Sequence, residues 1–205
     1  MKGLLLKDFF TLSKSLRVFL VLILLFACMP GYNMAIFAVV YASLLPVTAL
    51  SYDERCKWDT LAAMSPYSPA DMVVSKYLLG YIGILFAAVL ALAVHAVYGI
   101  FSSSSDTGYI SSILGGAVSG LLIIALTMPA MYKFGVEKGR IAFFVILAVT
   151  FGAVAGLSAL ADKGELSRFS LRLGAGTGIV ILLAVILLNV VSIILSIRFY
   201  SKREF

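Results

Sequence analysis

Residues 51–59 read Ser-Tyr-Asp-Glu-Arg-Cys-Lys-Trp-Asp, and five of these nine positions are charged. Asp53, Glu54 and Asp59 form the only acidic cluster that could serve a membrane-embedded lipid-modifying enzyme, which needs acids or histidines near headgroup level for proton transfer. Arg55 and Lys57 are interleaved with them. A short helix carrying both signs is also what a soluble partner would grip, through complementary charge. Trp58, Leu61 and Met64 follow at threefold spacing and give the same stretch an apolar edge. That edge could equally rest on lipid headgroups with Trp58 as its anchor. Docking and resting on lipid are compatible roles.

Chemistry elsewhere is sparse. No Gly-x-x-x-x-Gly-Lys-Ser/Thr loop is present to cradle phosphates, so the chain carries no ATPase site of its own. No His/Cys/Asp/Glu set has metal-ligand spacing, and a single histidine excludes a two-histidine site within one chain. No Gly-x-Ser-x-Gly elbow occurs. The apolar runs hold no charge deep inside, where ion-coupled transporters keep their relays. These readings leave no catalytic residue, no metal and no cofactor on this chain. Two features could face a pathway. His95 either meets a substrate at an outer mouth or bonds across a close helix contact. Asn189, Ser192 and Ser196 make a polar stripe that either lines a path or joins two helices.

The elements that must position these residues are membrane helices. The chain is 62% hydrophobic, with a mean hydropathy of +1.08, and a transmembrane helix needs roughly 20 mostly apolar residues. The charge-free runs predict an all-α integral membrane domain over residues 1–205, with spans at 16–29, 34–50, 69–101, 109–134, 141–161 and 171–197. Pro30-Gly31-Tyr32-Asn33 separates the first two as a turn. These two are short, and a re-entrant hairpin is the alternative; either version returns the chain to the side it left.

Lysine and arginine counts set the orientation. One side holds Lys2, Lys7, Lys14, Arg17, Arg55, Lys57, Lys76, Lys133, Lys138, Arg140, Arg198, Lys202 and Arg203, and the other only Lys163, Arg168 and Arg172. Both termini and residues 51–76 are therefore expected in the cytoplasm. The net charge of +6 is this bias together with attraction to anionic lipid, and calls for no nucleic acid. Cys28 and Cys56 fall at opposite faces and cannot pair.

Local signals add detail. Leu5, Phe9, Leu12 and Leu16 share one helical face, with Lys2, Lys7, Asp8 and Lys14 mostly elsewhere, which predicts an amphipathic surface helix over 2–15. Ser51 with Glu54 has the form of a capping box, so a second short helix is expected over 52–65, stopped by Pro66. Ser68, Pro69 and Asp71 repeat the start signal. The helix they open runs about 33 residues to the serines at 102–105, roughly 50 Å against a hydrocarbon core of roughly 30 Å. It should project as a lever and carry 52–65 with it. Pro129 should kink the fourth span. Gly116/Gly120, Gly152/Gly156 and Gly174/Gly178 have the spacing of close helix contacts.

These residues resemble the membrane subunit (permease) of type-2 ABC exporters, over nearly the full length. The likeness is carried by Met-Lys-Gly-Leu-Leu-Leu-Lys-Asp8, by Asp53-Glu54 through Lys57-Trp58-Asp59, by Met64-Ser65-Pro66 and by Val73-Val-Ser-Lys76-Tyr77. The chain departs at Cys56, where the family often has glycine, and at Tyr67-Ser68-Pro69, where it often has a basic residue. The resemblance implies a bacterial cytoplasmic-membrane exporter in which two permease copies, identical or closely similar, pair with two ATP-binding subunits that hold ATP and Mg²⁺. Helix 52–65 would be the coupling helix docked on the ATPase through Asp53, Glu54, Arg55, Lys57, Trp58, Asp59, Leu61 and Met64. The compact form without an outer domain is similar to the phenol-soluble modulin exporter permease, and an amphipathic cargo, peptide toxin or lipid-like, suits the apolar bundle. The alternatives are a non-transporting scaffold or sensor partner of an ATPase, and the lipid-modifying enzyme.

Overall fold

The computed structural model describes residues 2–28, 32–64, 68–101, 107–136, 138–139, 141–149, 152 and 176–202. Among these residues the structure is all-helical, without strands. The helices are α1 (Lys2–Cys28), α2 (Tyr32–Ala42), α3 (Leu45–Arg55), α4 (Trp58–Ala63), α5 (Pro69–Phe101), α6 (Thr107–Phe134) and α7 (Gly176–Ser201); residues 141–149 are also helical. Among the described residues four stretches are long and apolar enough to cross a membrane: Ile36–Arg55, Pro69–Val97, Ile113–Phe134 and Val180–Ser201. Most of the expected fifth span, the loop at 162–170, Gly156 and Gly174 lie outside the described residues.

Helix α6 is the centre of the bundle, packed against α2, α5 and α7, while α1 lies along α2 and α5. Val39, Ala42, Val73, Tyr77, Ala87, Ile124 and Met128 fill the interface at near-zero exposure. Small residues set the spacing. A methyl group placed on Gly116 of α6 would lie 3.2 Å from the Ile36 Cα atom, and one on Gly120 would lie 3.1 Å from Ile84 Cδ1. Hence this glycine pair does mark close approach, to α2 and to α5. Gly152 has nothing within 4 Å of such a methyl.

Three sequence expectations change. The surface helix at 2–15 and the first span at 16–29 are parts of one helix, α1, uninterrupted between them. The second expected span is two helices, because Pro46 follows the turn at Ser43-Leu44 and lacks the N–H that would bond back to Ala42. Lastly, no helix starts at Tyr52. Helix α3 enters this region from Leu45, and Ser51 Oγ donates back to Val47 O at 3.0 Å instead of capping. A capping box needs its first residue in non-helical backbone; here a continuous helix carries the chain across the change from apolar to charged sequence. By contrast, α5 starts where its cap predicts. Ser68 Oγ accepts from the Asp71 backbone N–H at 3.1 Å and donates to Asp71 Oδ2 at 2.9 Å. The helix then runs 33 residues. Helix α6 stays helical through Pro129 and ends at Gly135, whose φ of 81° only glycine adopts without strain.

Candidate functional site

The break between α3 and α4 sits at Cys56-Lys57. The N–H groups of Cys56 and Lys57 close the α3 end on Tyr52 O and Glu54 O. Lys57 then turns left-handed, at φ 49° and ψ 40°. A β-carbon in that region costs about 1 kcal/mol or more, so Lys57→Gly should raise thermal stability in detergent by about 1 kcal/mol, read as a higher melting temperature. An unchanged or lowered value would show that the lysine side chain offsets its own backbone strain.

Behind this break lies a cluster of four charges, three of them buried and the fourth, Lys7, partly so. Lys76 of α5 reaches Asp8 of α1 at 2.6 Å and Asp53 of α3 at 2.5 Å. Lys7 reaches Asp53 Oδ1 at 2.5 Å and Asp8 Oδ1 at 3.1 Å. The side chains of Asp8, Lys76 and Asp53 are 2%, 6% and 9% exposed. Two cations and two anions leave no net charge, which is the condition for ionised groups to persist where water is scarce. Lys7 also stands over the Trp58 ring, 4.2 Å from its centroid, a cation–π contact that adds α4 to the assembly. One electrostatic node thus joins α1, α3, α4 and α5.

The residues singled out around this segment divide accordingly. Asp53 points inward and is committed to the two lysines. Glu54, Arg55, Lys57, Leu61 and Met64 are exposed, Met64 to 87%, and Trp58 is half-buried. Of Asp59 only the backbone, in α4, is described. Glu54 makes no ion pair with the cluster among the described residues; its Oε2 accepts the Val136 backbone N–H at 3.2 Å, linking α3 to the end of α6.

Lys7, Asp8 and Lys76 belong to the node; in the sequence they count only toward charge bias, helix polarity and family resemblance, with no role at the site. The available signals were an opposite-charge pair, Lys7-Asp8, inside an otherwise apolar stretch, and a lysine seven residues into a predicted span.

The polar stripe on α7 lies elsewhere. Ser192 Oγ donates to Ala125 O at 2.6 Å and accepts from Tyr77 OH at 2.6 Å. Tyr77 OH in turn accepts from Ser196 Oγ at 2.8 Å. Asn189 takes the Tyr81 hydroxyl at 3.0 Å and donates to Val185 O at 2.9 Å. All three stripe residues are buried, and these bonds join α7 to α5 and α6. His95 is half-buried on α5, away from both groups in sequence.

The described geometry is that of a junction: a charged, kinked segment with an exposed apolar edge, locked by ion pairs to two long helices. Residues 3–201 match the family described as ABC-2 family transporter protein. No curated protein and no solved structure matches the chain.

Proposed function

The chain belongs to the ABC-2 transporter family, and from that membership we propose that it is the membrane subunit of an ATP-driven exporter, moving an amphipathic cargo out of a bacterial cell. A separate ATP-binding subunit supplies the energy and docks on residues 52–65. In this reading the chain has six spans and cytoplasmic termini, and two permease copies pair with two ATP-binding subunits. The cargo class, a peptide or lipid-like molecule, is chosen to suit the largely apolar spans.

One observation carries the docking assignment: the α3–α4 elbow presents Leu61 and Met64 outward while its inner side is tied by Asp53 and Trp58 to Lys7 and Lys76. A surface pushed by a partner transmits motion only if it is stiffly joined to what must move, and both sites must bias one two-state element. Lys76 is on α5, so displacement of the elbow is displacement of a spanning helix.

The test is co-purification from detergent with the ATP-binding subunit. The native chain should retain it, and Glu54→Ala/Trp58→Ala should lose it. Equal recovery by both would remove this segment from the interface.

A further inference from the structure

A small cavity of about 30 Å³ opens beside the elbow, lined by Glu54, Trp58, Tyr132 and Tyr200, with Asp53 and Lys76 also on its wall. Tyr132 and Tyr200 meet edge to face at 5.7 Å between ring centroids. The cavity is walled by three aromatic, three charged and three aliphatic or thioether side chains, the last being Leu50, Met72 and Val136, at the meeting of α3, α4, α5, α6 and α7. That volume exceeds the roughly 10–15 Å³ a water-sized group needs.

Its charge balance is one short. Asp53 and Lys76 are neutralised within the four-charge cluster. Glu54 is not: among the described residues no Lys or Arg nitrogen lies within 4 Å of its carboxylate, whose hydrogen bond is to a backbone N–H. An exposed carboxylate at the mouth of an aromatic-lined cavity attracts a cation twice over, by its charge and by the ring faces. Size selects among cations. A lysine ammonium is a compact point charge close to water in bulk, whereas a planar guanidinium is larger and needs a flat slot.

We infer that this cavity receives a lysine ammonium from the ATP-binding subunit, with Glu54 as its counter-ion and Trp58, Tyr132 and Tyr200 as its walls. The inference rests on the docking reading above and adds the chemistry of one contact. The inserted ammonium lies against three helices besides the elbow, so the ATPase grips the ends of α6 and α7 together with α4. Leu61 and Met64 supply the apolar part of the same contact outside the cavity.

A zero-length carbodiimide tests this on the purified complex of the full chain with its ATP-binding subunit. The reagent activates a carboxyl group, a neighbouring lysine amine attacks it, an amide forms, and the reagent leaves as its urea. Mass spectrometry should find one cross-link joining the peptide that contains Glu54 to a lysine peptide of the ATPase. Glu54→Gln keeps an oxygen for the Val136 N–H and should fold normally. It should abolish the cross-link and weaken the complex about 30-fold or more, the low end for removal of one partner of a desolvated charge pair.

A complex that forms equally well with Glu54→Gln, and gives no amide at Glu54, overturns the lysine contact. Leu61→Asp/Met64→Asp separates this failure from failure of the docking reading itself. If that variant loses the ATPase while Glu54→Gln keeps it, the elbow docks without an inserted lysine. If both variants bind as the native chain does, or the native chain binds no ATPase, both readings fall.

Discussion

Lys76→Met lowers the unfolding free energy of the chain in detergent by about 3–5 kcal/mol, the range for breaking a buried ion pair from one side. Lys76 holds Asp8 at 2.6 Å and Asp53 at 2.5 Å. Without it two buried carboxylates share the single positive charge of Lys7, and one negative charge is left uncompensated. Methionine fills most of the lysine stem volume, so the loss is electrostatic rather than a cavity effect. Adding Asp8→Asn restores neutrality, with Lys7 and Asp53 as the remaining pair 2.5 Å apart. The double variant should therefore be more stable than Lys76→Met alone, by about 2 kcal/mol, a coupling within the range for residues in one network. Unfolding titrations of the native chain, both single variants and the double variant complete the cycle. Simple additivity of the two losses would mean that charge balance does not hold this junction together.

That node shows where sequence reading stops. Capping is local chemistry, so Ser68, Pro69 and Asp71 disclosed the start of α5 within a few residues. Pairing across 46 and 68 residues, as in Lys7–Asp53 and Asp8–Lys76, leaves no local trace. At α1 the face shared by Leu5, Phe9, Leu12 and Leu16 reads in the sequence as the one that lies on the membrane surface. In the structure Leu4, Asp8 and Leu12 are buried, while Leu6, Phe9 and Phe10 are exposed. A helix between protein and lipid has two apolar faces, and a hydropathy pattern cannot tell them apart; the buried aspartate was the distinguishing residue. The α7 stripe was legible as a stripe, but Tyr77 and Tyr81, which occupy it from α5, carry no mark of that role in the sequence.

The elbow divides into residues that hold it and residues that face outward, and the two sets should respond differently. Leu61 and Met64 are 55% and 87% exposed, and neither belongs to the buried core among the described residues. Leu61→Asp/Met64→Asp should leave the melting temperature of the isolated chain within about 1 °C of native, since surface changes of this kind shift stability by no more than about 0.5 kcal/mol. Yet a desolvated apolar contact at the centre of an interface is worth about 2 kcal/mol or more per side chain. Losing two of them, with two carboxylates buried in exchange, should weaken recovery of the ATP-binding subunit by about a thousandfold, since about 4 kcal/mol is close to three decades at about 1.4 kcal/mol each. Lys76→Met should do the reverse in part, lowering the melting temperature first and losing the partner only as the elbow loosens from α5. Measured side by side, melting and ATPase recovery separate the two roles. A variant at Leu61 and Met64 that melts normally and still binds the ATPase natively would place the docking surface elsewhere on the chain, and the kinked, locked geometry of α3 and α4 would then have to be explained by packing alone.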